Sequence, residues 1–399
     1  MDKSPLLPVP GFSVSGVACG IKKNGGRDMI VIAAERPATM AGCFTQNTVV
    51  AAPVTLSREI AHKGSCRAIV ANAGNANACT GAQGMDDARA MAHRCADALG
   101  LPADQVAVAS TGVIGQQLPM DRVIAGINAA ATSLAADGWE AAADAIRTTD
   151  LVPKWHSVRA EIGGRTITVT GIGKGSGMIH PNMATMLGFV CTDAPVGPEA
   201  LHSALSRAVE KSFNRITVDG DTSTNDCVLC LAGGAAGGEP IAPDTLEWAQ
   251  LADLLEQVCV SLAKQIVADG EGATKLVTLT VEGLETEADA VTIARQVATS
   301  SLVKTALFGC DPNWGRILAA AGQTGIGFDP ERFSLAFDDR VLVKDGTWQG
   351  AQAEAAVAEL MQGETYTVTL TLGAGPGSAT VWTCDLSYDY VRINADYRT

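Results

Sequence analysis

The fold class this sequence predicts is α/β, in the layered sense: mixed β-sheets sandwiched by helices. Two observations predict it. First, short apolar runs rich in strand formers, "MIVIAA" (29–34), "RAIVANA" (67–73) and "QVAVAST" (105–111), alternate with alanine-rich stretches at 85–99 and 120–134 that suit helices. Second, "VRAEIGGRTITVTGI" (158–172) alternates apolar and polar residues on both sides of Gly163 and Gly164, the pattern of a β-hairpin closed by a tight glycine turn. Further along, "MLGFVC" (186–191) reads as a buried strand and "DCVLCLA" (226–232) as another apolar run. Helices follow at 197–211, 244–268 and 286–305, and strands at 275–281, 334–344, 365–372 and 379–384. "LAGGAAGGEPIAP" (231–243) suits either a linker or a surface loop. No internal repeat and no low-complexity tail is seen.

Composition narrows the function classes. At 399 residues the chain has length for one large or two medium domains and a sizeable core. Lys plus Arg number 29 against 43 for Asp plus Glu, a net charge of −14, which argues against a nucleic-acid groove or an acidic membrane surface as the main partner. Eleven cysteines, an odd number in a large chain and mostly in apolar contexts, read as reduced core thiols rather than a disulfide framework. Cys227 and Cys230 have CxxC spacing but no second pair nearby, so core thiols are preferred there to metal ligands. The start, "MDKSPLLPVPGFSVSG", places prolines where a secretory signal needs an apolar core, and no apolar run approaches membrane-spanning length. The expectation is a soluble, cytoplasmic protein.

"GIGKGSG" (171–177) invites a phosphate-binding reading that fails on each template. A P-loop needs Ser or Thr after its lysine, and Lys174 is followed by Gly175; no choice among Gly171, Gly173 and Gly175 gives G-x-G-x-x-G; and Ser176 has Lys174 two places before it, where a hydrolase elbow needs Gly. "DGDTSTND" (219–226) fails as a calcium loop, with Thr224 at position six and Cys230 at position twelve, and is taken as a polar turn. What remains for the glycines is positive φ and close approach of another segment or of a substrate. His180 and Pro181 add a turn, and the role of His180 stays open.

Just beyond, "HPNMATML" (180–187) delivers Thr185 into an apolar strand. A β-branched residue entering a strand is ordinary. A threonine hydroxyl becomes a useful nucleophile when its own N-terminal amine serves as base, which requires Thr185 to begin a new chain. Here the sequence resembles a known family. "KGSGMIHPNMATMLGF" is similar to the cleavage and nucleophile motif of the ornithine acetyltransferases of arginine biosynthesis. The segments "CFTQNTVVAAPV" (43–54), "NAGNANACTG" (72–81), "STGVIG" (110–115), "TTDLVPK" (148–154), "KTALFGCDPNWGRI" (304–317) and "INADYRT" (393–399) match in the same order, over nearly the whole chain. Cys310 and the tail at 396–398 depart from the pattern, which touches substrate detail more than chemistry.

The resemblance implies self-cleavage between Ala184 and Thr185, dividing the chain into an α chain (1–184) and a β chain (185–399). It implies Thr185 as catalytic nucleophile and Thr111 with Gly112 as the oxyanion pair, where each donor is worth about 3 kcal/mol of transition-state stabilisation. It implies substrate contacts from Thr148, Lys174, Thr185, Glu271, Asn394 and Thr399, with Thr149 adjacent to Thr148. Their chemistry fits: Lys174 suits a carboxylate and Glu271 an ammonium, and the hydroxyl and amide groups suit orientation. The expected reaction moves acetyl from N2-acetylornithine to glutamate through acetyl-Thr185. No metal and no bound cofactor are expected, acetyl-CoA is a second donor in bifunctional members, and the assembly is a heterotetramer of two α and two β chains. Two other readings stand beside it: an N-terminal-nucleophile amidohydrolase or aminopeptidase that passes the acyl group to water, and a non-catalytic amino-acid binding protein.

Overall fold

The computed structural model describes residues 5–180 and 186–396. Ala184, Thr185 and Thr399 lie outside the described residues.

Among these residues the strands form two mixed sheets. The first holds β1 (Phe12–Val17), β2 (Met29–Phe44), β3 (Ser65–Asn75), β4 (Val106–Val113), β5 (Lys154–Ile162), β6 (Arg165–Lys174), β7 (Leu187–Thr192) and β9 (Cys227–Ala232). Its order is β4-β3-β2-β9-β7-β6-β5, with β1 paired to β2. The second holds β8 (Ile216–Thr217), β10 (Leu276–Gly283), β11 (Ser334–Phe337), β12 (Arg340–Lys344), β13 (Thr347–Trp348), β14 (Thr365–Thr371) and β15 (Gly375–Cys384), in the order β13-β12-β11-β14-β10-β15-β8. Parallel pairs (β3 with β4, β7 with β9, β10 with β14, β15 with β8) sit among antiparallel ones.

In chain order the helices are α1 (Ala52–Lys63), α2 (Gly81–Leu99), α3 (Met120–Thr132), α4 (Trp139–Ala145), α5 (Pro198–Glu210), α6 (Leu246–Ala268), α7 (Glu287–Thr299), α8 (Ser301–Phe308), α9 (Trp314–Gly322), α10 (Ala351–Leu360) and α11 (Tyr388–Asp396). The α/β class and the sandwiched layering are therefore as the sequence predicts.

β7 and β9 lie inside the first sheet with both faces covered, which is why their sequences are apolar throughout rather than alternating. Val190 and Cys230 face the core under α5 and α6, while Phe189, Cys191, Cys227 and Leu229 face the opposite core. Cys227 and Cys230 thus point to opposite sides of one strand, and both are free thiols. Each fully buried Val, Leu or Phe here contributes roughly 1.5–3 kcal/mol relative to exposure. Residues 233–245 form a surface loop fastened back to the same sheet by Gly233 N–H to the Thr192 carbonyl, 2.8 Å, and Ile241 N–H to the Pro195 carbonyl, 2.8 Å. The linker reading gives way to the loop reading.

Two elements read as continuous are divided. The helix expected at 286–305 breaks at Ser300, which leaves helical geometry (ψ 114°) and caps α8 through its hydroxyl. The strand expected at 334–344 is the hairpin of β11 and β12, turned at Asp338 with φ +48°. No helix among the described residues is long and apolar enough to cross a membrane.

Candidate active site

The cleft forms where the carboxyl ends of β4 and β6 meet three irregular segments: 148–153 before β5, 218–226 before β9, and 269–272 after α6. Helix α11 closes one side. Thr111, Gly112, Thr148, Lys174, Glu271 and Asn394 all line it, together with Thr149, Gly177, Met178, Asp219, Asn225 and Tyr390. Its open volume, mouth included, is about 690 Å³. Of the residues the sequence singled out, those six come together; Ala184, Thr185 and Thr399 fall outside the described residues.

Gly112 sits at φ +133°, and a Cβ there would lie 2.3 Å from the Gly74 carbonyl carbon and 2.5 Å from the Asn75 nitrogen. Only glycine allows the β4 end to lie so close to β3. Asn225 ties the same corner together, its amide donating to the Ala76 carbonyl at 2.6 Å and to the Ser110 carbonyl at 2.9 Å. Thr111 is thereby fixed beside Lys174, whose buried Nζ donates to Thr111 Oγ1 at 3.3 Å. Burial lowers the Lys174 pKa from the ordinary lysine value, against the raising pull of Asp150, Asp226 and Glu271.

Glu271 is held from two directions. Its N–H donates to the Ser176 carbonyl at 2.9 Å, and its Oε2 accepts from Asn394 Nδ2 at 2.8 Å. A Cβ on Gly177 would meet the Glu271 carboxylate at 2.4 Å, so the last glycine of "GIGKGSG" is spacing for this carboxylate. The glycine run serves close approach.

The "DGDTSTND" segment, read as a polar turn, does more. Asp219 accepts from the N–H groups of Met178, 2.6 Å, and Ile179, 2.9 Å, and burial pushes its carboxyl up to about 6. Asp226 Oδ1 accepts from the Met186 N–H at 2.7 Å. One segment therefore holds backbone on both sides of residues 181–185. His180, whose role was open, places Nδ1 3.2 Å from Thr217 Oγ1 and is half-buried.

Behind the cleft lies a cluster that sequence reasoning missed. Lys154 Nζ, fully buried, bridges Asp150 Oδ1 at 2.6 Å and Asp269 Oδ2 at 2.5 Å. The Lys154 and Lys174 ammonium groups hold the Asp150 carboxyl well below the usual carboxylate range despite its burial. The signal was present in "TTDLVPK", where an acid and a base four apart flank apolar residues, but Asp269 lies 115 residues from Lys154. Among the described residues no group of three or more His, Cys, Asp or Glu is placed to hold a metal ion.

Comparison with known proteins follows the same line. The ArgJ family model matches residues 13–399. The arginine biosynthesis bifunctional protein ArgJ of Symbiobacterium thermophilum is 52% identical over 391 residues, covering 98% of this chain and 97% of that one. The protein of the same name from Geobacter sulfurreducens is 50% identical over 393 residues, covering 98% and 100%. A crystal structure of the Bacillus halodurans bifunctional protein argJ is similar at 43% identity, covering 51% of this chain and 96% of that chain, with a TM-score of 0.49. With a full-length family match and half its residues shared with such relatives, this chain belongs to the ArgJ family.

Proposed function

We propose that this protein transfers the acetyl group of N2-acetylornithine to glutamate through an acetyl-Thr185 intermediate, giving ornithine and N-acetylglutamate, after cutting itself between Ala184 and Thr185. The observation that carries the reading is the convergence of Thr111, Gly112, Thr148, Lys174, Glu271 and Asn394, from distant parts of the chain, on one cleft. The full-length relatives named bifunctional support acetyl-CoA as a second acetyl donor.

Cleavage as proposed begins with the Thr185 hydroxyl attacking the Ala184 carbonyl; an N-to-O acyl shift gives an ester, and water releases a Thr185 with a free α-amine. In turnover that amine takes the hydroxyl proton as Oγ attacks the acetyl carbonyl, then returns it to the departing ornithine nitrogen. The oxyanion is received by the Gly112 N–H and the Thr111 hydroxyl. Lysine has donors only, so the Lys174 bond to Thr111 Oγ1 uses an acceptor site and leaves the Thr111 proton to point at the oxyanion. Lys174 also offers positive charge to a substrate carboxylate. Glu271 spends Oε2 on Asn394 and keeps Oε1 for the ornithine ammonium. Thr148 and Thr399 orient the remainder, and no bound cofactor enters the cycle. The acidic balance and the reduced core thiols support a cytoplasmic setting, and the family resemblance supports an assembly of two α and two β chains.

The test is denaturing mass spectrometry of active enzyme with steady-state kinetics. Two chains, 1–184 and 185–399, with parallel lines for acetylornithine and glutamate are expected. Thr185→Ala should leave one uncut chain and remove turnover by about 10⁶-fold, the scale of losing an activated nucleophile. An intact wild-type chain with full activity would remove the proposal. Acetate release that does not depend on glutamate would favour the amidohydrolase reading.

A further inference from the structure

We infer that Asp150, locked by Lys154, is a positioning residue of the acetyl-transfer site: it fixes two cleft-lining segments in one geometry without itself touching substrate. The inference rests on the transfer reading above.

The two oxygens of this carboxylate serve two separate segments. Oδ2 accepts from the Thr148 N–H at 3.0 Å, and Oδ1 accepts from the Gly175 N–H at 2.7 Å. Thr148 lines the cleft, and Gly175 directly follows Lys174, which lines it beside Thr111. Lys154 then ties Asp150 to Asp269. Asp269 extends the clamp, its Oδ2 accepting from the Leu151 N–H at 3.0 Å and its carbonyl from Ser176 Oγ at 2.6 Å. Ser176 in turn accepts from the Glu271 N–H. Each link joins one cleft-lining segment to another, whereas Asp150, Lys154 and Asp269 do not line the cleft.

The cost of this arrangement argues for a role beyond holding the fold. An ion pair with both side chains fully buried is weak evidence for stability, because desolvation offsets much of the attraction, and an apolar pair of similar volume often serves the fold as well. What an apolar pair cannot supply is a fixed acceptor for two backbone N–H groups and an anion near the Lys174 ammonium. The charged groups acting on Lys174 are Asp150, Lys154, Asp226 and Glu271. Removing the Asp150 charge takes away the largest attraction among them, so Lys174 gives up its proton at lower pH.

The experiment compares wild type, Asp150→Asn and the triple variant Asp150→Asn, Lys154→Met, Asp269→Asn, which removes all three charges together and leaves no carboxylate of the cluster unpaired. Fold is followed by circular dichroism and processing on a denaturing gel, and kinetics are expressed per mole of cut chain. In Asp150→Asn, kcat/KM for acetylornithine is expected to fall roughly ten- to a hundred-fold, the scale of sub-ångström to ångström misplacement. KM should carry most of the change, and the basic limb of the kcat/KM profile should move to lower pH. The triple variant should fold and show a smaller limb shift in the same direction, because Lys154→Met also removes a repulsion acting on Lys174. A folded variant with wild-type KM and limb overturns the inference, as does a uniform loss of activity without a limb shift. A triple variant that fails to fold, or folds but stays uncut, also overturns it, since the cluster would then serve the fold or the cleavage. If wild type itself transfers no acetyl group, the functional reading fails instead.

Discussion

Two buried lysines mark how differently the halves of this molecule use polar groups. Lys304, in α8 beside the second sheet, donates to Thr383 Oγ1 at 3.2 Å and to the Cys384 carbonyl, ending on neutral acceptors of the last strand. Around it the core is aliphatic and aromatic: Leu279, Val297, Phe333, Phe337, Val368 and Val381 are buried together. Lys154, beside the first sheet, is buried between two carboxylates, and Lys174, Asp226 and Glu271 are buried nearby. The second layer is organised by apolar burial. The cleft end of the first is organised by mutual satisfaction of charges, an arrangement that fixes directions at some expense in stability.

That contrast can be broken by substitution. Phe337→Ala should cost about 3–5 kcal/mol of stability by opening a cavity in the apolar layer, read from denaturant unfolding, with kcat per folded molecule unchanged. A comparable drop in kcat would mean that the two layers are not separable in this way. Thr111→Val, nearly isosteric, should do the reverse: kcat falls by about 10²–10³-fold through loss of an oxyanion donor, while the melting temperature stays close to wild type. A variant that melts early with kcat intact would place Thr111 among the structural residues.

Lys174 sharpens the comparison through pH. Its folded pKa lies below the ordinary lysine value because of burial, so the unfolded chain keeps this proton to higher pH than the folded chain does. Between the two pKa values, raising pH therefore favours the folded state while removing the cation from the cleft. Activity on acetylornithine should decline on the basic side before stability does, and Lys174→Met should erase that limb. Parallel loss of both would contradict the assignment. The smallest effect is expected for Asn394→Ala, which removes one hydrogen bond to Glu271, worth about 0.5–1.5 kcal/mol. It should appear as a several-fold rise in KM for the donor with kcat unchanged.

The legibility of the fold follows the range of the forces involved. Strands and long helices announce themselves by local periodicity, and the Gly163–Gly164 turn by its own chemistry, so β3, β4, α2, α5 and α6 were readable. The breaks were also written locally but in weaker signs. Ser300 within "ATSSLV" offers a capping hydroxyl, and Asp338-Asp339 interrupts an apolar run, yet each competes with strong periodicity around it. The site was legible in a different way. Spacing alone rejected the familiar templates, and the residues of the cleft were named through resemblance. The supporting cluster escaped because Asp150, Lys154, Gly175 and Asp269 are joined by contacts of up to 115 residues in separation, which no local pattern encodes. Likewise Asp219 and Asp226 read as turn formers until their backbone partners were visible.

Strand β7 opens only two residues after Thr185, yet it is hydrogen-bonded on both sides, to β6 and to β9, and every one of its six residues is buried. Scission ahead of it would produce two polypeptides interleaved within a single sheet, the younger one threaded between neighbours from either parent. Such halves part only by global denaturation, and halves made separately would each carry an unfinished sheet with a raw, sticky flank. Co-translation as one precursor is thus the natural route to a correctly woven pair.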